Sequence, residues 1–457
     1  MKHLIPASLA LALAAPLGAL ADSPSDIQAL RREFEAVRAD YEARLRALEQ
    51  RVQAAEAASA VAAAQAPAAA PVPPMPAAAP PSASSAFNPA MSLILSGGYT
   101  RTSRDPADYR ISGFPLRQGG EAGPGTRGFN LAETELSLSA SIDPFLRGSA
   151  SIALHPDDTA SVEEAYVQTT SLGNGLSLKA GRFLSGVGYL NPQHAHVWDF
   201  VDAPLAYQAM LGTQFGDDGV QLTWLAPTDR FIELGLELGR GRGFPGSDSS
   251  RNGAGMAAFT AHTGGDIGDS QTWRAGLSML AARATDQRLD AIDARGGAVT
   301  NSFSGRTRVW VLDGVWKWAP NGNATRTSFK LQGEYLRSTR QGSLTYDADG
   351  AAVADRHRAA QSGWYVQAIY QFMPRWRVGL RTERLDPGSP DIGVNTAALT
   401  GGGWRAHKNT LMVDFNPSEF SRVRLQLARD SAREGRADNQ VFIQYQMSLG
   451  AHGAHGY

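Results

Sequence analysis

The sequence predicts an all-β chain: an antiparallel transmembrane β-barrel of about sixteen strands, preceded by a short periplasmic coiled-coil helix and an Ala/Pro-rich linker. Two observations predict the barrel, which we place at 89–457. From about Ser92 onward, apolar and polar residues alternate with a period of two, and the connections between these segments are short and long in turn. A third observation, an export signal, indicates that the mature chain lies outside the cytoplasm.

The first residues, MKHLIPASLALALAAPLGALA, are typical of a secretory signal peptide at 1–21. They combine Lys2, an apolar run, and small residues at Ala19 and Ala21, so cleavage is expected after Ala21. The apolar run is too short to span a bilayer as a helix. We therefore expect the mature protein to begin near Asp22.

The segment at 22–57 predicts a coiled-coil helix, because its apolar residues advance by threes and fours with Arg and Glu between them. These residues are Ile27, Leu30, Phe34, Val37, Tyr41, Leu45, Leu48 and Val52. Self-association is the favoured interpretation, and a single amphipathic helix on a domain surface is the alternative. The Ala/Pro-rich segment that follows, at 58–88, predicts a semi-rigid spacer of about 30 residues.

The alternation is clear in segments such as VFIQYQMSL and RVRLQLAR. In the second of these, Val423, Leu425 and Leu427 share one face, while Arg422 and Arg424 lie on the other. One apolar and one polar face per strand is typical of a sheet packed on one side, or of a membrane barrel with a wet lumen.

The connections favour the membrane barrel. Short ones, such as SIDPFL, LAPTDR, APNGNATR, FMPRWR and NPSEFS, carry the residues of tight turns. Most of the others are long and Gly-rich: 103–127, 189–212, 241–253, 286–305, 341–360 and 387–405. Alternating short and long connections are typical of outer-membrane barrels, with the short turns in the periplasm. Aromatic residues near strand ends, among them Trp316, Trp364 and Trp376, also predict interfacial girdles.

Composition and motifs exclude several classes of function. The chain has no cysteine, so thiolate metal sites and cysteine nucleophiles are absent, and its net charge of -1 argues against nucleic-acid binding. No Gly-x-Ser-x-Gly elbow or phosphate-binding loop is present. On a regular strand, Glu163 and Glu164 would point to opposite faces, which does not suit shared acid/base chemistry. We therefore predict that the protein is not an enzyme.

The stretch NPQHAHVWDF is a candidate metal site. His194, His196 and Asp199 supply two imidazoles and a carboxylate within six residues, and zinc accepts such ligands. Neutral histidines packed or hydrogen-bonded in a loop wall are the alternative. A second pair, His452 and His455, lies in the GAHGAHGY tail and is expected at the periplasmic end.

Charges on the polar faces of the strands predict a lumen with two different walls. Five arginines on late strands form a predicted basic ladder: Arg375, Arg377, Arg381, Arg422 and Arg424. Glu233 and Glu237, together with Lys330 and Glu334, form a predicted mixed wall. A transverse field of this kind favours anionic or zwitterionic solutes. Mutual pairing that rigidifies the barrel is the alternative.

The chain as a whole resembles the Gram-negative outer-membrane porins of the phosphate-selective class, most locally in LSLKAGRFLSGVGYLNP. This segment, NPQHAHVWDF and the tail also resemble outer-membrane proteins labelled zinc-regulated TonB-dependent receptors. In those receptors a plug domain precedes the barrel, where this chain has a helix and a spacer. The porin resemblance implies that the loop at 189–212 enters and narrows the lumen, with His194, His196, Trp198, Asp199 and Asp202 at the constriction.

The expected function is passive diffusion of small solutes, anions among them, through the outer membrane of a Gram-negative bacterium. The expected partners are outer-membrane lipid, small solutes and two further copies of the chain in a homotrimer, with no nucleic acid. No cofactor is expected beyond the candidate zinc. Two alternatives remain: a metal-linked receptor that uses the His-rich loop for zinc uptake, and a structural tether between the envelope layers.

Overall fold

The computed structural model describes residues 89–450 except 133, 251 and 400–402. The predicted signal peptide, coiled-coil helix, linker and His-containing tail lie outside the described residues. The strands are β1 (Ala90–Thr102), β2 (Leu116–Arg117), β3 (Gly128–Leu131), β4 (Thr134–Ser141), β5 (Leu146–Leu154), β6 (Ala160–Thr169), β7 (Leu176–Leu184), β8 (Gly216–Leu225), β9 (Phe231–Gly239), β10 (Met256–Ile267), β11 (Gln271–Ile292), β12 (Ala298–Trp318), β13 (Ser328–Tyr346), β14 (Val353–Met373), β15 (Trp376–Asp386), β16 (His407–Ser418), β17 (Ser421–Arg433) and β18 (Arg436–Gly450). Helix α1 spans Leu205–Leu211, and short 3₁₀ turns lie at Pro106–Asp108, Ala195–Val197, Pro320–Gly322 and Gly393–Ala397.

These strands form one closed antiparallel barrel. Each strand from β4 onward pairs with the next along the chain, and β1 closes the sheet by pairing with β18 from Ser92↔Gly450 to Thr102↔Gln440. Both β3 and β4 pair with β1 and together form one interrupted wall strand, while β2 lies in the first loop and pairs with β11. The wall therefore has 16 strands, which confirms the predicted all-β barrel.

The period-two pattern separates the outside of the barrel from its interior. On β17, Val423, Leu425 and Leu427 are exposed on the outer surface, whereas Arg424 and Gln426 are buried inside. Since a closed sheet leaves no unpaired edge, an apolar outer surface lets such a barrel cross a lipid bilayer. In the described part of the chain, no helix is both long enough and apolar enough to span a membrane.

Outward-facing aromatic residues mark the apolar band. On β14, Trp364 and Tyr370 are both exposed and lie six residues apart. At ~3.3 Å per residue they are about 20 Å apart along the tilted strand, so both fit within an apolar band ~25 Å tall. Trp376, on the neighbouring strand, packs on Phe415 with ring centroids 4.7 Å apart near the short-turn end.

Two predicted long loops are instead mostly strand. β11 and β12, with 22 and 21 residues, continue to Ile292 and from Ala298, so 286–305 is largely a hairpin. β13 and β14 likewise form a hairpin over most of 341–360. A membrane strand needs only about 9–11 residues, so these hairpins extend beyond the apolar band. Their extra length pairs regularly because its backbone groups find partners across the hairpin.

Candidate functional site: an inward loop across the lumen

The segment 185–215, which connects β7 to β8, folds into the barrel and is called here the inward loop. Every residue of α1 within it is buried. The loop packs against inner-wall side chains of β12–β15, namely Val309, Val311, Leu336, Tyr365 and Leu385. Trp198 is also buried and donates from Nε1 to the carbonyl of Gln193 at 2.8 Å. The apolar residues of this segment are therefore the means by which it packs inside the barrel.

Two buried polar groups fix the first half of the inward loop. Asn191 joins the loop ends, since its amide donates to the carbonyls of Ser185 and Phe215 at 2.8 Å each and accepts from the Phe215 N–H at 2.8 Å. Glu334 on β13 accepts from the backbone N–H of Leu190 at 2.9 Å. Gly188 has a φ of 75°, and a Cβ there would lie 2.4 Å from Glu334 Oε2, so only glycine fits.

Asp199 anchors the middle of the inward loop to two strands. Its carboxylate pairs with Lys330 on β13 and with Arg377 on β15, the latter at 3.3 Å. Burial alone would raise the pKa of Asp199, but the charges of Lys330 and Arg377 hold it well below the usual value. Asp199 is therefore a charged anchor.

Asp202 forms a second charged anchor, three residues further on. Its carboxylate accepts from Arg381 at 2.8 Å, from Lys408 at 2.5 Å and from Gln426 at 2.8 Å. Burial alone would raise the pKa of Asp202, but the charges of Lys408 and Arg381 hold it well below the usual value. Arg381 also pairs with Glu383 at 2.8 Å, so this cation is shared between a loop carboxylate and a wall carboxylate.

The predicted basic ladder has a different arrangement from the one expected. Arg424 and Arg422 donate to backbone carbonyls of the inward loop, Arg424 to Trp198 at 3.1 Å and Arg422 to His196 at 2.9 Å. Arg375 is not on the inner wall: it lies exposed in the tight turn between β14 and β15 with a φ of 73°. Pro374 and Arg375 form this turn, so the period-two extrapolation fails there.

The two predicted acidic residues, Glu237 and Glu233, have different contacts. Glu237 accepts from Ser185 Oγ at 2.6 Å and from the Gly186 N–H at 2.8 Å, so it holds the start of the inward loop. Glu233 instead pairs with His262 at 3.4 Å. Neither carboxylate belongs to the charged lining of the large cavity described below.

The two histidines of NPQHAHVWDF lie beside carboxylates from strands β4 and β6 of the barrel wall. Glu135 Oε2 on β4 lies 3.2 Å from His194 Nδ1 and 2.9 Å from His196 Nδ1. On β6, Glu163 Oε2 lies 3.0 Å from His194 Nδ1 and Glu164 Oε2 lies 3.1 Å from Nε2. We call these five residues the His/Glu cluster. Asp199 is not in it, since its carboxylate faces Lys330 and Arg377, so the geometry replaces Asp199 by Glu135 in the predicted ligand set.

The expectation that Glu163 and Glu164 point to opposite faces is wrong. In the pairing of β5 with β6, Ser151 faces Glu164 and Ile152 faces Val162, so Glu163 is an extra residue in a β-bulge. The bulge turns both carboxylates toward one imidazole. Burial alone would lower the pKa of His194, but the adjacent carboxylates of Glu135, Glu163 and Glu164 raise it well above the usual value.

A cavity of about 1230 Å³ lies between the inward loop and the short-turn end of the barrel. His194, His196 and Asp199 contribute to its inner surface, whereas Asp202 does not. Five basic residues of the wall also line it: Arg274, Lys317, Lys330, Arg377 and Arg422. Its acidic wall residues, Asp266, Asp269 and Glu419, are exposed at or beside the short turns. The cavity is therefore lined by charges of both signs, with the acidic wall residues at its exposed, short-turn end.

Sequence reasoning missed most of the partners that hold the inward loop. Glu135, Asn191, Glu383 and Lys408 carried no motif, and Glu135 is distant in sequence from the histidines it contacts. The one available signal was alternation, which places Lys408 and Asp414 on the inner face of β16. Alternation does not say which loop residue an inward charge will meet.

The chain is similar to one known protein in sequence and to several solved structures. No protein-family model matches the sequence. An uncharacterized protein of Aquifex aeolicus (strain VF5) is 29% identical over 401 residues, covering 82% of this chain and 81% of that protein. Among solved structures, the anion-selective porin from Comamonas acidovorans has a TM-score of 0.48 at 12% identity, covering 79% of this chain and 99% of that one. Outer-membrane expressed OmpT of Vibrio cholerae has a TM-score of 0.47 at 11% identity, covering 79% and 97%.

Proposed function

We propose that this chain is an outer-membrane channel for passive diffusion of small anionic solutes, narrowed by the inward loop. The observation that carries the proposal is the cavity of about 1230 Å³ inside a closed barrel, with a loop folded across the lumen at its inner end. Diffusion needs a lumen, a constriction and fixed charges, and no reacting group.

The distribution of charge supports anionic solutes. Five cations line the cavity, among them Arg274 on β11 and Lys317 on β12. Lys330 and Arg377 are partly neutralised by Asp199. A low-dielectric wall focuses the field of these cations on the path, where weak contacts at several sites favour an anion without trapping it.

Planar-bilayer recording of the refolded protein tests both parts of the proposal. We expect discrete conductance steps and, across a KCl gradient, a reversal potential that indicates chloride preference. Lys317→Gln should lower that preference, because it removes a cation from the cavity. Arg405→Gln, at an exposed position in the loop after β15, is the matched control and should leave it unchanged. A silent bilayer contradicts the channel, and a cation preference in the unmodified protein contradicts the anionic selectivity.

We also propose a homotrimer with the helix at 22–57 in the periplasm. The support is the spacing of apolar residues in that segment, which is typical of helices that associate. Deleting 25–57 should convert the trimer to monomers, or weaken it, on native gels. An assembly that is unchanged by the deletion contradicts this role of the helix.

A further inference from the structure

The His/Glu cluster has the composition and spacing of a metal site between the inward loop and the barrel wall. The loop supplies His194 and His196, β4 supplies Glu135, and the bulge of β6 supplies Glu163 and Glu164. The two imidazole rings stack with centroids 5.6 Å apart. Their Nδ1 atoms both approach the same oxygen of Glu135, so three possible ligand atoms converge on one point.

Glu135 is the first sign that the convergence serves a ligand. Its side chain is 2% exposed, and Oε1 accepts a hydrogen bond from Ser137 Oγ at 2.5 Å. Oε2 is buried, receives no hydrogen bond, and points into the space between the two imidazoles. A buried carboxylate oxygen without a hydrogen bond is costly unless a cation lies against it.

Glu164 is the second sign, because it accounts for the other nitrogen of His194. Its Oε2 lies 3.1 Å from Nε2, while Oε1 accepts from the backbone N–H of Leu184 at 3.0 Å. A neutral imidazole that donates from Nε2 presents a lone pair at Nδ1, which here faces Glu135 and Glu163. A carboxylate that orients a histidine from the far nitrogen is the usual second-shell partner of a metal-binding histidine.

The distances suit an ion of the zinc class. Bonds of about 2.0–2.1 Å in a tetrahedral site place neighbouring ligand atoms ~3.4 Å apart. The separations of 3.2 and 2.9 Å from Glu135 Oε2 to the two Nδ1 atoms are close to this value, and all three atoms lie within 4.8 Å of one another. Small rotations of these side chains are enough to accommodate the ion.

We propose that Glu135, His194 and His196 bind a divalent transition-metal ion such as Zn²⁺ and that this ion clamps the inward loop to β4. Glu163 or water completes the coordination, and Glu164 orients His194. Both histidines line the cavity, so the ion reaches the site from the short-turn end. A bound ion links two segments that are otherwise joined there by side-chain contacts only, and it fixes the width of the path beside it.

Metal binding is tested on the full refolded chain, stripped with a chelator and titrated with Co²⁺. We expect visible d–d absorption bands that saturate at one ion per chain and are displaced by Zn²⁺. Glu135→Gln and His196→Ala should each weaken binding at least ~10-fold, and Glu164→Gln should weaken it ~10- to 100-fold through misorientation of His194. His155→Ala is the matched control, because His155 lies outside the cluster and its Nδ1 is 3.9 Å from Glu121. This variant should bind Co²⁺ normally.

Two results overturn the proposal. One is an absence of saturable Co²⁺ bands in the unmodified protein. In that case a protonated His194, and not a metal ion, would neutralise the surrounding carboxylates. The other is an equal loss of binding in His155→Ala and in the cluster variants. The resistance of each variant to unfolding in detergent, measured by its mobility shift on heating, shows whether the barrel is intact.

The effect on conduction rests on the proposed function, whereas metal binding does not. Zn²⁺ added during recording should change the conductance of the unmodified protein, and a chelator should reverse the change; Glu135→Gln should not respond. Stoichiometric Co²⁺ binding by a protein that does not conduct contradicts the channel and leaves the site in place. Conduction without Co²⁺ binding contradicts the site alone, and binding without any change in conductance contradicts the clamp.

Discussion

Replacing Asp202 by asparagine should loosen the inward loop by a predictable amount. The carboxylate of Asp202 is paired with two buried cations, Arg381 and Lys408. Removing one partner of a buried ion pair costs about 3–5 kcal/mol. Here Arg381 keeps Glu383, Lys408 keeps Asp430, and the asparagine oxygen still accepts one hydrogen bond, so we expect about 2–3 kcal/mol.

That free energy corresponds to a ~30- to 140-fold increase in how often the inward loop opens. Hydrogen exchange of the α1 amides measures this opening, because local unfolding sets their protection. Asp386→Asn is the matched control: its pair with Arg405 at 3.1 Å is exposed on both sides and is worth at most ~1 kcal/mol. If the α1 amides of Asp202→Asn exchange as slowly as those of the unmodified protein, the ion pairs do not hold the loop.

Three further predictions concern the same loop. The pKa of Asp199 and of Asp202 is lowered by folding, so their stabilisation is present above pH ~4 and is lost as the pH falls below it. The protection of the α1 amides from hydrogen exchange, relative to the intrinsic exchange rate at each pH, should fall only below pH ~4, and a fall already between pH 5 and 8 contradicts this. Gly188→Ala should lower the free energy of unfolding in urea by about 1–3 kcal/mol, because the positive φ and the nearby Glu334 both exclude a Cβ. Gly253→Ala, where a Cβ would enter open space, should have little effect. Asn191→Ala removes three buried hydrogen bonds and should cost about 2–4 kcal/mol, measured by faster exchange of the α1 amides; unchanged exchange contradicts its bridging role.

The barrel was predictable from sequence because its two signals are local. Whether a residue such as Leu425 faces lipid depends on its own strand. The alternation of short and long connections depends on neighbouring strands only. The hairpins at 286–305 and 341–360 were mistaken for loops because their sequence is Gly-rich and polar. Beyond the apolar band a strand needs no apolar face, so the period-two signal is lost while pairing continues.

The candidate site was less predictable because its contacts join distant segments. Alternation placed Arg424 on the inner face correctly, yet it gave no means of distinguishing a charge that faces water from one that binds the carbonyl of Trp198. The partner of His194 depends on a bulge at Glu163, and a single inserted residue in a pairing leaves no recognisable motif. The sequence of one strand determines on which face a side chain lies. Which residue that side chain contacts depends on the path of the whole loop.

The anchors of the inward loop lie at several positions around the wall, and this arrangement bears on how the loop can move. Glu135 is on β4, Glu237 on β9, Glu334 on β13, and the cations that hold Asp202 are on β15 and β16. No single strand can therefore carry the loop out of the lumen. Loss of one anchor frees one part of the loop while the apolar face of α1 and the remaining anchors keep the rest in place. Because the His/Glu cluster and the Asp202 anchor hold different parts of the loop, a metal ion at the cluster would change the width of the path on one side only, as a partial constriction rather than a complete closure.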